Sequence, residues 1–143
     1  MSLLWRSYLA AALGGALGAM LRYSLELGDM LQIWDPYPTT LILINAAGSL
    51  VLGFVAGMTV SRPKSSPQWR IFWMTGVCGG FTTLSGYSYK VLLLLQIGMI
   101  SQALLFAAGS LLLAMAGVVA GYRLAVAIFK HRQASDPSNQ PTQ

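Results

Sequence analysis

Apolar residues gather into four long runs separated by short polar breaks, and each run has the length of a bilayer crossing. The first covers Leu3 to Tyr23, with Arg6 near its start and Arg22 near its end. A polar connection follows, carrying Glu26, Asp29, Asp35, Pro36 and Pro38, where the prolines bias the chain away from helix. The second run, Thr39 to Val60, contains one strongly polar residue, Asn45. At about 1.5 Å per residue it extends roughly 33 Å, enough to cross the hydrocarbon of a bilayer. Ser61 to Gln68 (SRPKSSPQ) is short, basic and holds two prolines, so it reads as a loop. The third run goes from near Trp69 to near Gly98, and the fourth from Ile100 to Ile128. The pattern predicts an all-α integral membrane protein with four transmembrane helices. Residues 1–128 form the membrane domain and residues 129–143 a polar tail expected to be disordered.

The third run departs from a simple span. Its centre reads Thr75-Gly-Val-Cys-Gly-Gly-Phe-Thr-Thr-Leu-Ser-Gly-Tyr-Ser-Tyr-Lys90, polar and rich in glycine. In hydrocarbon every freed backbone group needs an internal partner, so a broken helix is tolerated only where it faces protein, an ion or a water-filled cavity. A break is expected near Gly79-Gly80, and function is to be sought there. Each span also carries a glycine pair at four-residue spacing: Gly14 and Gly18, Gly53 and Gly57, Gly76 and Gly80, Gly117 and Gly121. Glycine is frequent in membrane helices, but a pair in every span points to close helix packing.

Composition supports the membrane reading, because 55% of the 143 residues are hydrophobic and only 9% charged, too little polar surface to cover a water-soluble domain. The first run alone would also fit a signal peptide, a reading that the three further spans weaken. A single cysteine, Cys78, excludes an intrachain disulfide, and the single histidine, His131, lies in the tail. Neither a metal cluster nor a Cys/His catalytic pair can be assembled, and the chain is not expected to be an enzyme. The net charge of +5 is scattered at the ends of apolar runs rather than gathered into a nucleic-acid surface.

No acidic residue lies inside any of the four runs, which argues against a proton-coupled exporter built around a buried carboxylate. The membrane region instead offers neutral donors: Asn45; Thr82, Thr83, Ser85, Tyr87 and Ser88; and Ser110. Such donors suit a small, strongly hydrated anion that must exchange water for hydrogen bonds on entering low dielectric. For each hydroxyl the alternative is a bond to its own helix backbone. Asn45 is less easily satisfied in that way.

From Leu3 to Ala127 the sequence resembles the Fluc (also called CrcB) fluoride channels. The resemblance rests on Gly14-Gly-Ala-Leu-Gly-Ala-Met-Leu-Arg22-Tyr23, on Thr40-Leu-Ile-Leu-Ile-Asn45-Ala-Ala-Gly48 with Gly53, and on Thr75-Gly-Val-Cys-Gly-Gly-Phe-Thr-Thr-Leu-Ser, in that order. It implies an antiparallel dimer with a structural sodium ion (Na+) at its centre, held by backbone carbonyls matching Gly79 and Thr82. It also implies fluoride pathways along the dimer lined by Asn45, Thr83, Leu84, Ser85, Tyr87 and Ser110, with Arg22 and Lys90 in the vestibules or acting on orientation. Aromatic ring edges in this family face the anion, as the ring quadrupole permits.

The chain departs from the family's usual Thr-Thr-Phe-Ser-Thr-Phe. It reads Thr82-Thr-Leu84-Ser85-Gly86-Tyr87, so Leu84 supplies no ring and Tyr87 adds a hydroxyl expected to donate directly. Many relatives carry a carboxylate where Lys90 stands, and this lysine is expected to snorkel to the interface. Four crossings put Arg6, Arg62, Lys64, Arg70, Arg123, Lys130 and Arg132 on one side, against Arg22 and Lys90 on the other. The positive-inside rule then places both termini in the cytoplasm of a bacterial inner membrane. A chain so biased inserts mostly one way, whereas an antiparallel homodimer needs insertion both ways, so the expected partner is a paralogue of opposite orientation, with a second copy of the chain as the other option. The expected function is passive fluoride transport that lowers cytoplasmic fluoride and confers fluoride resistance. The alternatives are a cation- or proton-coupled small exporter, for which Lys90 is the plausible titratable group, and a non-conducting partner subunit.

Overall fold

The computed structural model describes residues 3–31, 39–62 and 65–134, and among them every regular element is helical. Helix α1 covers Leu3–Leu31 and α2 covers Thr39–Ser61. The third crossing is composite: a short α3 (Pro67–Arg70) leads into a π-helix, π1 (Ile71–Cys78), and a final turn, α4 (Gly79–Phe81). After an interruption α5 (Leu84–Gln96) completes it, and α6 (Ile100–Ala134) returns.

Local chemistry fixes the ends of these elements. Ser66 caps the third crossing by accepting from Trp69 N at 3.2 Å, with Pro67 in the first turn, where its missing N–H costs nothing. Between α5 and α6 the chain reverses tightly through Gly98, whose φ of 79° lies in the left-handed region open to glycine. So short a connection makes α5 and α6 antiparallel neighbours. Their contact is the buried cluster Leu94, Ala103 and Phe106, joined by Leu41 of α2.

The glycine pairs are used inside the chain, in two helix pairs. Gly14 and Gly18 of α1 lie against the backbone of Phe72, Gly76, Val77 and Phe81, so a Cβ at either would run into that backbone. Gly53 of α2 lies against the Val118 carbonyl and Gly121 of α6 against the Leu50 carbonyl, each closer than any side chain allows. A Cβ at Gly57 would stand 2.6 Å from the Tyr122 carbonyl oxygen, and one at Gly117 2.9 Å from that of Ala46. This close approach substitutes dispersion contact for the hydrophobic drive that lipid does not supply.

The outside is apolar. Leu104, Leu105, Leu111, Leu112 and Met115 of α6 are exposed, as are Leu4, Leu13, Leu17 and Leu21 of α1. Such a surface suits acyl chains and would be a liability in water. Helices α2 and α6 are each long and apolar enough to cross a membrane unaided, whereas the third crossing is divided into halves that are individually too short.

Several boundaries shift from the sequence expectation. Helix α1 runs past Tyr23 to Leu31 and so includes Glu26 and Asp29; Asp35, Pro36, Pro38 and Lys64 lie outside the described residues. Helix α6 continues to Ala134, into the segment expected as a disordered tail, and residues 135–143 are outside the described set. Its end is anchored by Phe129, whose ring centroid is 6.3 Å from that of Phe54 and 4.4 Å from the Arg62 guanidinium carbon. Beyond that anchor Lys130, Arg132, Gln133 and Ala134 are good helix formers.

Candidate functional site in the broken third crossing

The expected break near Gly79-Gly80 is present two residues further on. Gly79 and Gly80 remain helical, while Thr82 (φ −79°, ψ 154°) and Thr83 (φ −145°, ψ 124°) are extended. The glycines serve packing instead of unwinding: Gly80 lies against the Gly15 carbonyl, and a Cβ at Gly76 would stand 2.8 Å from Gly14 Cα. What fixes the break is Asn45. Its Oδ1 accepts from Thr83 N at 2.9 Å and its Nδ2 donates to Thr83 O at 3.3 Å, so one amide satisfies both backbone groups of the extended residue.

The surrounding bonds complete the interruption. Thr82 N and Oγ1 both donate to Cys78 O at 2.9 Å. Thr83 Oγ1 caps α5 by accepting from Gly86 N at 3.1 Å, and lies 3.1 Å from Ser85 Oγ. Because Thr83 N is committed to Asn45, the Gly79 carbonyl loses its usual helical donor. The next carbonyl, Gly80 O, accepts from Arg22 Nε at 3.4 Å, and Arg22 Nη1 also donates to Glu26 at 3.3 Å.

A cavity of about 280 Å³ opens beside the break. Asn45, Gly79, Thr82, Thr83, Leu84, Tyr87 and Ser110, expected from the sequence, line it together with Ser49, Leu52, Met74, Cys78, Leu111 and Ala114, which were not. Ser110 is 4% exposed, and among the described residues its hydroxyl makes no hydrogen bond. Ser49 sits one helical turn beyond Asn45 on α2, a spacing that places both on one face; that period is the signal by which it could have been found.

Other expected residues are placed differently. The Tyr87 hydroxyl donates to Ala107 O of α6 at 3.2 Å and its ring lies 5.4 Å from Phe106, so the proton expected to serve an ion is already committed. Asn45 likewise has one amide proton engaged, which leaves one to the cavity. Ser85 is exposed and outside the cavity lining; Arg22 and Lys90 are half-buried and also lie outside it. Lys90 is half-buried one turn along α5 from Tyr87, and among the described residues the ion pair is Arg22–Glu26, not one with Lys90.

An asparagine holding open a broken helix beside a cavity rich in hydroxyls can be compared with known proteins. The profile of the family described as "CrcB-like protein, Camphor Resistance (CrcB)" matches residues 9–122. The chain belongs to the CrcB family. The match takes in Arg22, Asn45, Ser110 and the entire break, so every cavity residue named above lies within the CrcB region. A protein of Rhodopseudomonas palustris named fluoride-specific ion channel FluC is 44% identical over 124 residues, covering 85% of this chain and 98% of its own length. One of Nitrobacter hamburgensis, named fluoride-specific ion channel FluC 2, is 40% identical over 118 residues, or 82% of this chain and 95% of its own. A FluC of Thermus thermophilus is 41% identical over 121 residues, covering 85% and 94% respectively.

Proposed function

We propose that this CrcB-family chain is one subunit of a dimeric channel that passes fluoride down its electrochemical gradient across a bacterial inner membrane, lowering cytoplasmic fluoride. The observation that carries the reading is the cavity at the break. Its side-chain oxygen and nitrogen groups are hydroxyls and an amide, and among the described residues its wall has no carboxylate and the buried Ser110 hydroxyl has no hydrogen-bond partner. A small anion leaving water must recover hydrogen bonds, and neutral donors supply them without the deep trap that a buried cation would make. The FluC names of the relatives point to the same ion.

Dimerisation is supported by the outer face of the third crossing, where Thr75, Gly79, Ser85 and Ser88 are exposed at membrane depth. Small and polar groups there suit a second subunit better than lipid. A structural sodium ion fits the same face. Gly79 O is deprived of its helical donor and Thr82 is extended, so both can offer carbonyl oxygen to a hard cation. When bound, the ion would supply positive charge between the subunits. The lysine and arginine bias favours termini in the cytoplasm and a partner of opposite orientation.

Fluoride efflux from liposomes containing this chain, with chloride as control, tests the reading. Fluoride-selective efflux from the chain alone supports a homodimer, and efflux that appears only with an oppositely oriented paralogue supports a heterodimer. Ser110→Ala is expected to slow fluoride efflux about tenfold, the worth of one hydrogen bond to a charged group. No fluoride efflux in either assembly, or equal passage of chloride, overturns the proposal.

A further inference from the structure

The half-helix of residues 67–81 ends at the break with its carbonyl end toward the site, and that end carries partial negative charge. The N-terminal end of α5 faces the same break and offsets part of that charge, and what remains repels an anion crossing beside the carbonyl end unless a cation lies there. Among the described side chains the one cation bonded to this end is Arg22, through Nε to Gly80 O at 3.4 Å. Its Nη1 lies 3.3 Å from both carboxylate oxygens of Glu26, one turn along α1. Both side chains are about one-third exposed, at 29% and 32%, so water only partly screens them. Neither lines the cavity.

We infer that Arg22 and Glu26 set the electrostatic potential at the break, Arg22 by capping the carbonyl end of the half-helix and Glu26 by tempering that cation. The inference rests on the channel reading above. Arg22 is thus a positioning residue that keeps an anion path open without holding the anion. The pair is graded: the guanidinium cancels the helix terminus, and the carboxylate keeps the remaining positive charge from becoming a trap.

The two residues therefore act with opposite sign. In liposomes holding whichever assembly conducts, Arg22→Gln is expected to lower the initial fluoride efflux rate roughly two- to fivefold, the scale of one charge at a helix terminus. Arg22→Lys restores most of it. Glu26→Gln raises the rate by a similar factor, and both effects shrink as impermeant salt is added. A pair with only a structural role predicts that removing either partner lowers the rate, so a Glu26→Gln rate at or below wild type overturns the inference. If Arg22→Gln does not fold, Glu26→Gln decides alone. A wild-type chain that passes no fluoride in any assembly instead fails the channel reading itself.

Discussion

The α2–α6 pair and the third crossing lie side by side and solve the bilayer's constraint in opposite ways. In α2–α6 the helices run unbroken, so that away from their ends the backbone is satisfied within each helix, and glycines bring two continuous rods into backbone contact. In the third crossing the helix is widened through Ile71–Cys78 and then interrupted, and three of its open groups, Thr83 N, Thr83 O and Gly80 O, are satisfied by side chains from elsewhere: Asn45 on α2 and Arg22 on α1. The difference teaches that the break is a borrowed structure. It exists because its neighbours do not break, and α2 serves both as half of the rigid pair and as the source of the amide that holds the cavity open.

The comparison is broken most severely on its rigid side. Gly121→Leu, which forces a side chain into the Leu50 carbonyl, is expected to cost about 3 kcal/mol or more and to abolish a monodisperse species in size-exclusion chromatography. Gly109→Ala on the same helix meets open space and should be neutral or gain about 0.5 kcal/mol. Next in size, Asn45→Ala leaves both polar groups of Thr83 without partners. A loss of about 2 kcal/mol in thermal or denaturant unfolding is expected, with loss of efflux and faster hydrogen exchange confined to residues near the break. Thr83→Ala removes the cap of α5 and should cost about 1 kcal/mol, whereas Thr83→Ser should retain most stability. The smallest loss belongs to Tyr87→Phe. It deletes one hydrogen bond to Ala107 O, worth about 0.5–1 kcal/mol, and should leave the fluoride-to-chloride ratio unchanged because that hydroxyl proton is not free.

Much of the architecture was legible in the sequence. The four crossings follow from apolar run length, and the glycine pairs announce their interfaces because small residues at four-residue spacing have few other uses in lipid. That the third crossing breaks was also legible. Where it breaks was legible to within about two residues; the remaining offset from Gly80 to Thr82-Thr83 was not, because Asn45, 38 residues away, holds the extended residue and Gly79-Gly80 stay helical. The π-helix left no mark that periodicity could separate from an α-helix over eight largely apolar residues. The cavity was read in part: the donor types and most positions are visible in sequence, but hydrogen bonding decides which protons remain free. The Tyr87 hydroxyl donates its hydrogen bond to Ala107 O of α6, a partner that no pattern along α5 encodes.

The Asn45 bridge also bears on the order in which the protein is made. Chains enter the membrane from the N-terminus, so α2, with its amide, is in the bilayer before Thr82 and Thr83 arrive. The extended residues thus meet a waiting partner and are never exposed unpaired to lipid for long. A permuted chain that delivered α2 last would encode the same contacts and the same final fold, yet it would have to carry an unsatisfied backbone through hydrocarbon until its second helix was synthesised. The sequence of synthesis is in this sense part of what makes a broken helix admissible.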